Sequence, residues 1–124
     1  MLFQLDFSEE GPDRAFFSRF WQTLDEPEDV KSFAEQIVTG TRKNLSEIDK
    51  LIAECAEHWV LDRMAAVDRN ILRAAAYELM YKDDIPPAVV INEALEIAKK
   101  FSMKESAPFI NGILDKIARI KGKV

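Results

Sequence analysis

An all-α fold is predicted by three features of the sequence. Apolar residues recur in steps of three and four along most of the chain, the spacing that lines one face of an α-helix. No run alternates apolar and polar residues as a half-buried strand would. Glycine and proline together number nine in 124 residues, too few for the many turns of an all-β fold. The length suits one compact domain, and a chain of this size buries about two thirds of its unfolded surface without help from disulfides. With 48% apolar and 31% charged residues, the composition is that of an ordered globular chain and excludes disordered, collagenous and low-complexity classes.

Each element follows from local pattern. Met1-Leu2-Phe3-Gln4-Leu5-Asp6 reads as the end of a helix without its beginning, since no capping residue precedes the apolar positions. Ser8 to Pro12 is a turn-rich break. Asp13 to Leu24 carries Phe16, Phe17, Phe20, Trp21 and Leu24, two adjoining apolar rows on one helix, read as core rather than as a partner groove. Glu26-Pro27-Glu28-Asp29 opens a long helix, with proline at the first helical position and acids in the first turn. Its stripe runs through Val30, Phe33, Ile37, Thr41, Leu45, Ile48, Ile52 and Cys55. Gly40, inside that stripe, either kinks the helix or lets a neighbour pack close.

A break follows after His58-Trp59-Val60. Asp68 is the expected N-cap of a helix bearing Ile71, Leu72, Ala75, Leu79 and Met80. Asp83-Asp84-Ile85-Pro86-Pro87 ends that helix and starts the next, whose stripe is Val90, Ile91, Ala94, Leu95, Ile97, Ala98 and Phe101. Lys99 and Lys100 suit its C-terminus. Ser102-Met103-Lys104-Glu105 fits a capping box, and Ser106-Ala107-Pro108 offers a second N-cap with proline just inside. Phe109, Ile110, Ile113, Leu114 and Ile117 complete the core. The count is about five helices and the remnant of another.

Charge and chemistry narrow the function. A single cysteine cannot close an internal disulfide, the first residues lack a signal peptide's basic and apolar segments, and no stretch holds the ~18 apolar residues of a membrane span. A reduced, cytoplasmic compartment is the default. The formal charge of −5 argues at first against a nucleic-acid partner. It is uneven: residues 1–62 hold 6 basic and 14 acidic side chains, and residues 63–124 hold 11 and 8. Glu54, Cys55 and His58 share a helical turn, but a metal site needs three or four ligands and no second cysteine or histidine exists. Glu93 and Glu96 lack the Glu-x-x-His partner of a carboxylate-bridged metal pair, and Glu96 is better paired with Lys100. No phosphate loop or nucleophile–base set is present, so neither an enzyme nor a cofactor is expected. The Lys104–Asn111 stretch is more informative. It sets a cation, a hydroxyl and a helix start together, with Phe109 as a stacking face and Asn111 as a base-reading amide; the plain alternative makes Phe109 core and Ser106 a cap.

Three blocks in order carry a resemblance. Val67-Asp68-Arg69-Asn70-Ile71-Leu72-Arg73-Ala74-Ala75-Ala76-Tyr77-Glu78-Leu79, then Ile85 through Phe101 (IPPAVVINEALEIAKKF), then Phe109-Ile110-Asn111-Gly112-Ile113-Leu114-Asp115-Lys116 resemble the NusB family of transcription antitermination factors. Residues 7–59 match mainly in helix pattern. The resemblance implies an all-helical bundle of about five to seven helices in two small packed subdomains, 1–59 and 60–124. It implies a non-enzymatic role: binding the boxA element of nascent ribosomal RNA with NusE, a small-subunit ribosomal protein, and loading an antitermination complex on RNA polymerase. Carried over by position, Lys104, Glu105, Ser106, Phe109 and Asn111 are expected on the RNA face, and Asp68, Arg73 and Glu78 on the NusE face. The family's usual arginine-rich leading segment has no counterpart before Met1, and those arginines are its main phosphate contacts. The expectation is that Met1 is an internal methionine; a genuinely short chain would bind RNA poorly. Two alternatives share the fold: an interaction module with lost RNA binding, and the NusB-like domain of ribosomal-RNA cytosine methyltransferases, whose catalytic domain 124 residues cannot hold.

Overall fold

The computed structural model describes residues 1–6, 11–22, 24–56 and 64–122. Among these residues there are seven α-helices and no strand: α1 (Leu2–Asp6), α2 (Arg14–Trp21), α3 (Glu28–Lys43), α4 (Leu45–Ala56), α5 (Ala66–Tyr81), α6 (Pro87–Phe101) and α7 (Ser106–Ile120). The breaks expected at Ser8–Pro12 and after His58-Trp59-Val60 both lie partly outside the described residues.

The starts of α2 and α6 follow the sequence reading. Asp13 caps α2, its Oδ1 accepting from the Phe16 N–H at 2.9 Å. Pro87 opens α6, where its fixed φ and missing N–H cost nothing, and Lys99 and Lys100 occupy the last turn. Pro27 sits one residue outside α3, as its N-cap, so that Glu28 and Asp29 fill the first turn.

Three boundaries differ from expectation. The stripe from Val30 to Cys55 is divided between α3 and α4 at Asn44, whose backbone leaves the helical region. The Asn44 N–H and side-chain Nδ2 both donate to Gly40 O, at 3.1 and 2.9 Å. One residue thus satisfies a terminal carbonyl and redirects the axis while the apolar register continues, a change that periodicity does not reveal. Helix α5 begins at Ala66, so Asp68 lies inside its first turn rather than capping it. Helix α7 begins at Ser106 itself, and the Ser106 hydroxyl donates to Asp68 Oδ2 at 2.8 Å instead of capping.

Helix α5 is central and packs against α1, α3, α4, α6 and α7. The larger apolar cluster spans α4 to α7, with Ile48, Ile52, Leu72, Ile110, Leu114 and Ile117 fully buried. Burying each such side chain is worth about 1.5–3 kcal/mol. A smaller cluster joins Leu5, Phe16, Phe17 and Val38, with Met1, Leu2 and Trp21 against it. Gly40 serves close packing: a Cβ there would lie 2.1 Å from Tyr77 Cζ. Val30 and Phe33, placed on the α3 core stripe by their spacing, are instead 45% and 47% exposed. Phe33 lines an open apolar groove with Phe3, Ile97 and Phe101. Leu24 is likewise exposed.

Candidate nucleic-acid interface

The turn from α6 to α7 is short, closed by the Ser106 N–H donating to Met103 O at 3.0 Å. It presents Phe101, Met103, Lys104 and Glu105 to solvent. Ser106 is buried, pinned to Asp68 of α5. Along α7, Phe109 is half-buried against the large cluster and Asn111 is exposed. Of the five residues predicted for an RNA face, Lys104 and Glu105 thus stand free of the core on the turn. Phe109 and Asn111 lie on different flanks of the helix, two residues and about 200° apart. Ser106 reaches the face only by holding the turn in place.

The second predicted surface is less exposed than its residue types suggest. Asp68 and Arg73 are buried, and Glu78 is half-buried. The Arg73 guanidinium is turned inward: Nε and Nη2 donate to Asp49 Oδ1 and Oδ2, both at 2.8 Å, and Nη1 donates to Asp6 Oδ1 at 3.1 Å. Asp6 also takes hydrogen bonds from Arg69 and from Asn70. Burial pushes the Asp6 carboxyl up, but the hydrogen bonds of Arg69 and Arg73 and the Arg73 charge outweigh it and hold it below the usual carboxylate range. Arg73 is held charged in the same way: burial works against it, and the hydrogen bonds and charges of Asp49 and Asp6 prevail. This network ties α1 and α4 to α5. Asp6, Asp49, Arg69 and Asn70 were not predicted. The available signal was Arg69 and Arg73 at i, i+4 on a helix that also carries the core residues Ile71, Leu72, Ala75 and Leu79, where an inward arginine needs counter-charges. The Glu78 carboxyl is pushed up, by burial first and then by the Glu93 charge, with Lys82 opposing.

Elsewhere the polar chemistry is ordinary. Glu96 pairs with Lys99 at 3.7 Å, one residue short of the Lys100 expected. Cys55 is buried, its backbone carbonyl accepting from Lys116 Nζ at 3.3 Å; His58 lies outside the described residues. Among the described residues no three His, Cys, Asp or Glu side chains cluster as metal ligands, and no helix is long and apolar enough to cross a membrane.

Comparison with known proteins decides the family. The NusB family model matches residues 1–119. The chain belongs to the NusB family. Its relatives include the transcription antitermination protein NusB of Thermodesulfovibrio yellowstonii, 52% identical over 103 residues, covering 82% of this chain and 68% of that protein. The NusB of Koribacter versatilis is 50% identical over 119 residues, covering 96% of this chain and 82% of that one. Among solved structures, NusB of T. maritima superposes with a TM-score of 0.82 at 40% identity, covering 99% of this chain and 89% of its own. A NusB chain crystallised with NusE and double-stranded RNA superposes with a TM-score of 0.84 at 26% identity, covering 96% and 88%. The NusB-family fold is therefore present across the described helices, and the all-α reading holds.

Proposed function

We propose that this chain is a cytoplasmic, RNA-binding transcription antitermination factor that acts by binding rather than catalysis. In this reading it recognises the boxA element of nascent ribosomal RNA together with NusE and helps assemble the antitermination complex on RNA polymerase. The observation that carries the reading is the bond between Ser106 and Asp68, which locks the exposed α6–α7 turn onto α5. A turn so fixed presents Lys104 and Glu105 rigidly, with Phe109 and Asn111 following on different flanks of α7. Rigid presentation lowers the ordering cost of binding. Lys104 supplies a phosphate contact, and Phe109 and Asn111 supply stacking and an amide edge.

The NusE surface is assigned to the outer side of α5. Glu78 meets a basic partner residue directly, while Asp68 and Arg73 hold that side of the helix from within. The two subdomains, 1–59 and 60–124, are part of the same proposal: the smaller apolar cluster lies in the first and most of the larger in the second, with α4 bridging them.

The test measures affinity for a short boxA RNA and a scrambled RNA, each with and without NusE. Tighter binding of boxA, strengthened by NusE, is expected. Equal binding of both RNAs with NusE present refutes the RNA assignment and leaves an interaction module. If Glu78→Lys leaves NusE affinity unchanged, the partner surface is misplaced.

A further inference from the structure

Helices α3 and α6 both pack on α5, and between them lies an open groove of about 630 Å³. Its lining includes Ala74 and Glu78 of α5, Phe33 of α3, Ile97 and Phe101 of α6 and Phe3 of α1. Among the described residues, Glu78 is the one charged side chain that lines it. The large apolar side chains around the groove stand well out into water. Phe3 is 48% exposed, Phe33 47%, Ile97 44% and Phe101 69%; Val30, on the same face of α3 as Phe33, is 45% exposed. At about 200 Å² for a whole aromatic side chain, and somewhat less for an aliphatic one, these five leave roughly 450 Å² of apolar surface in one patch. The largest patch on a typical monomer is about 300–600 Å² and is often a binding surface.

We propose that this patch is the contact between two copies of the chain related by a two-fold axis. A standard interface buries about 800 Å² per partner, and in homodimers about 65% of it is apolar. Each copy must then contribute about 500 Å² of apolar surface, and the patch supplies nearly all of it. Its relief also suits self-association. It holds a recess, the groove, and on the rim of that recess a projecting ring, Phe101. A two-fold axis sets the ring of each copy over the recess of the other and closes the assembly at two. Other occupants match less of the surface. A polyanion meets no cationic side chain on the described lining. A small apolar ligand would fill the recess and leave the projecting face of Phe101 and Val30 in water. The groove shares Glu78 with the surface assigned to NusE, so the test uses the protein alone and is independent of the RNA and NusE readings.

The test is sedimentation equilibrium on the full chain at neutral pH, over concentrations from about 1 μM to about 500 μM. The mass is expected to rise from the 14.2 kDa of one chain to twice that value and to stop there. Phe33→Asp and Phe101→Asp each place a charge inside the contact and should weaken dimerisation by about tenfold or more. Phe101 is largely exposed in the single copy, so its variant should keep the melting temperature of dilute wild type. Ile120→Asp serves as the control: Ile120 is 60% exposed and lies off the groove, and its variant should dimerise as wild type does. Wild type that keeps the mass of one chain throughout overturns the proposal, as does a mass that climbs past two copies without a plateau. A dimer that survives Phe101→Asp, or that Ile120→Asp breaks as readily, places the contact elsewhere and overturns it too.

Discussion

Replacing Arg73 by methionine keeps most of the aliphatic stem and deletes the guanidinium. Four hydrogen bonds vanish: two to Asp49, one to Asp6 and one to the Asn70 side-chain carbonyl. Truncating one partner of a buried ion pair costs about 3–5 kcal/mol, mostly because the carboxylates stay buried without their cation. Two features place this case at the lower end. Asp6 keeps Arg69, and the Asp49 side chain is 26% exposed, so water recovers part of its solvation. The expected loss is about 3 kcal/mol, a large share of the 5–15 kcal/mol typical of a domain. With a urea m-value of about 1–3 kcal/mol/M, the unfolding midpoint falls by about 1–3 M.

The assay is urea unfolding followed by far-UV circular dichroism at neutral pH. A loss under about 1 kcal/mol would show that the Arg73 ion pairs behave as solvated surface pairs. The pH dependence is a second check. Asp6 is depressed below its unfolded value of 3.8, so its ionic contribution is complete above that value and is lost as pH falls through the folded one. The gap between wild type and Arg73→Met should therefore narrow in strong acid.

Glu78→Gln should raise stability at neutral pH by about 1 kcal/mol, because the folded state disfavours the ionised carboxyl. The folded pKa lies above the unfolded 4.5, so the gain shows above the folded value and disappears below about 4.5 in thermal melts across pH; NusE affinity should fall at the same time. Gly40→Ala should cost about 1–2 kcal/mol despite better helix propensity, since the new methyl meets the Tyr77 ring. In a Tyr77→Ala background the same change should turn stabilising, and a chemical-denaturation cycle would expose an error if it did not. Gly112→Ala, exposed in α7 with nothing within 4 Å of the added carbon, should raise stability by about 0.5–1 kcal/mol.

Legibility in the sequence followed the range of the interaction. Helix existence was readable because burying one face imposes the period, and the stripes of α5, α6 and α7 recur as buried residues Ile71, Leu72, Val90, Ala94, Ile110 and Leu114. The Asn44 break was not readable, since the apolar register runs through it and only a side-chain amide marks the turn. The inward course of Arg73 was hidden for a different reason. Its partners Asp6 and Asp49 are 67 and 24 residues away, and an arginine on a helix carries no sign of which way it points. Ser106 and Asp68 were each assigned a local capping role, but both lie inside the first turn of their helices. A contact between two helices 38 residues apart used both instead.

The overall charge of −5 is the wrong scale on which to judge a polyanionic partner. Fields in solution fade over a Debye length of about 8–10 Å at physiological ionic strength, so a phosphate senses only the charges around its own contact. Several of the acidic side chains are held far from the α6–α7 turn. Asp6 and Asp49 are neutralised inside the α1–α4–α5 network by Arg69 and Arg73, and Glu35 accepts from the Trp21 indole. Near the turn, Lys99, Lys100 and Lys104 stand against Glu96, Glu105 and the Asp68 carboxylate bonded to Ser106, with Lys99 drawn to Glu96. The local charges about cancel, so a phosphate backbone is not repelled and the strong salt dependence of a purely electrostatic binder is not expected. Affinity on this face must then come from stacking and from base-edge contacts. A binder of that kind loses more to one altered base than to added salt, and measuring both on one RNA weighs the two contributions directly.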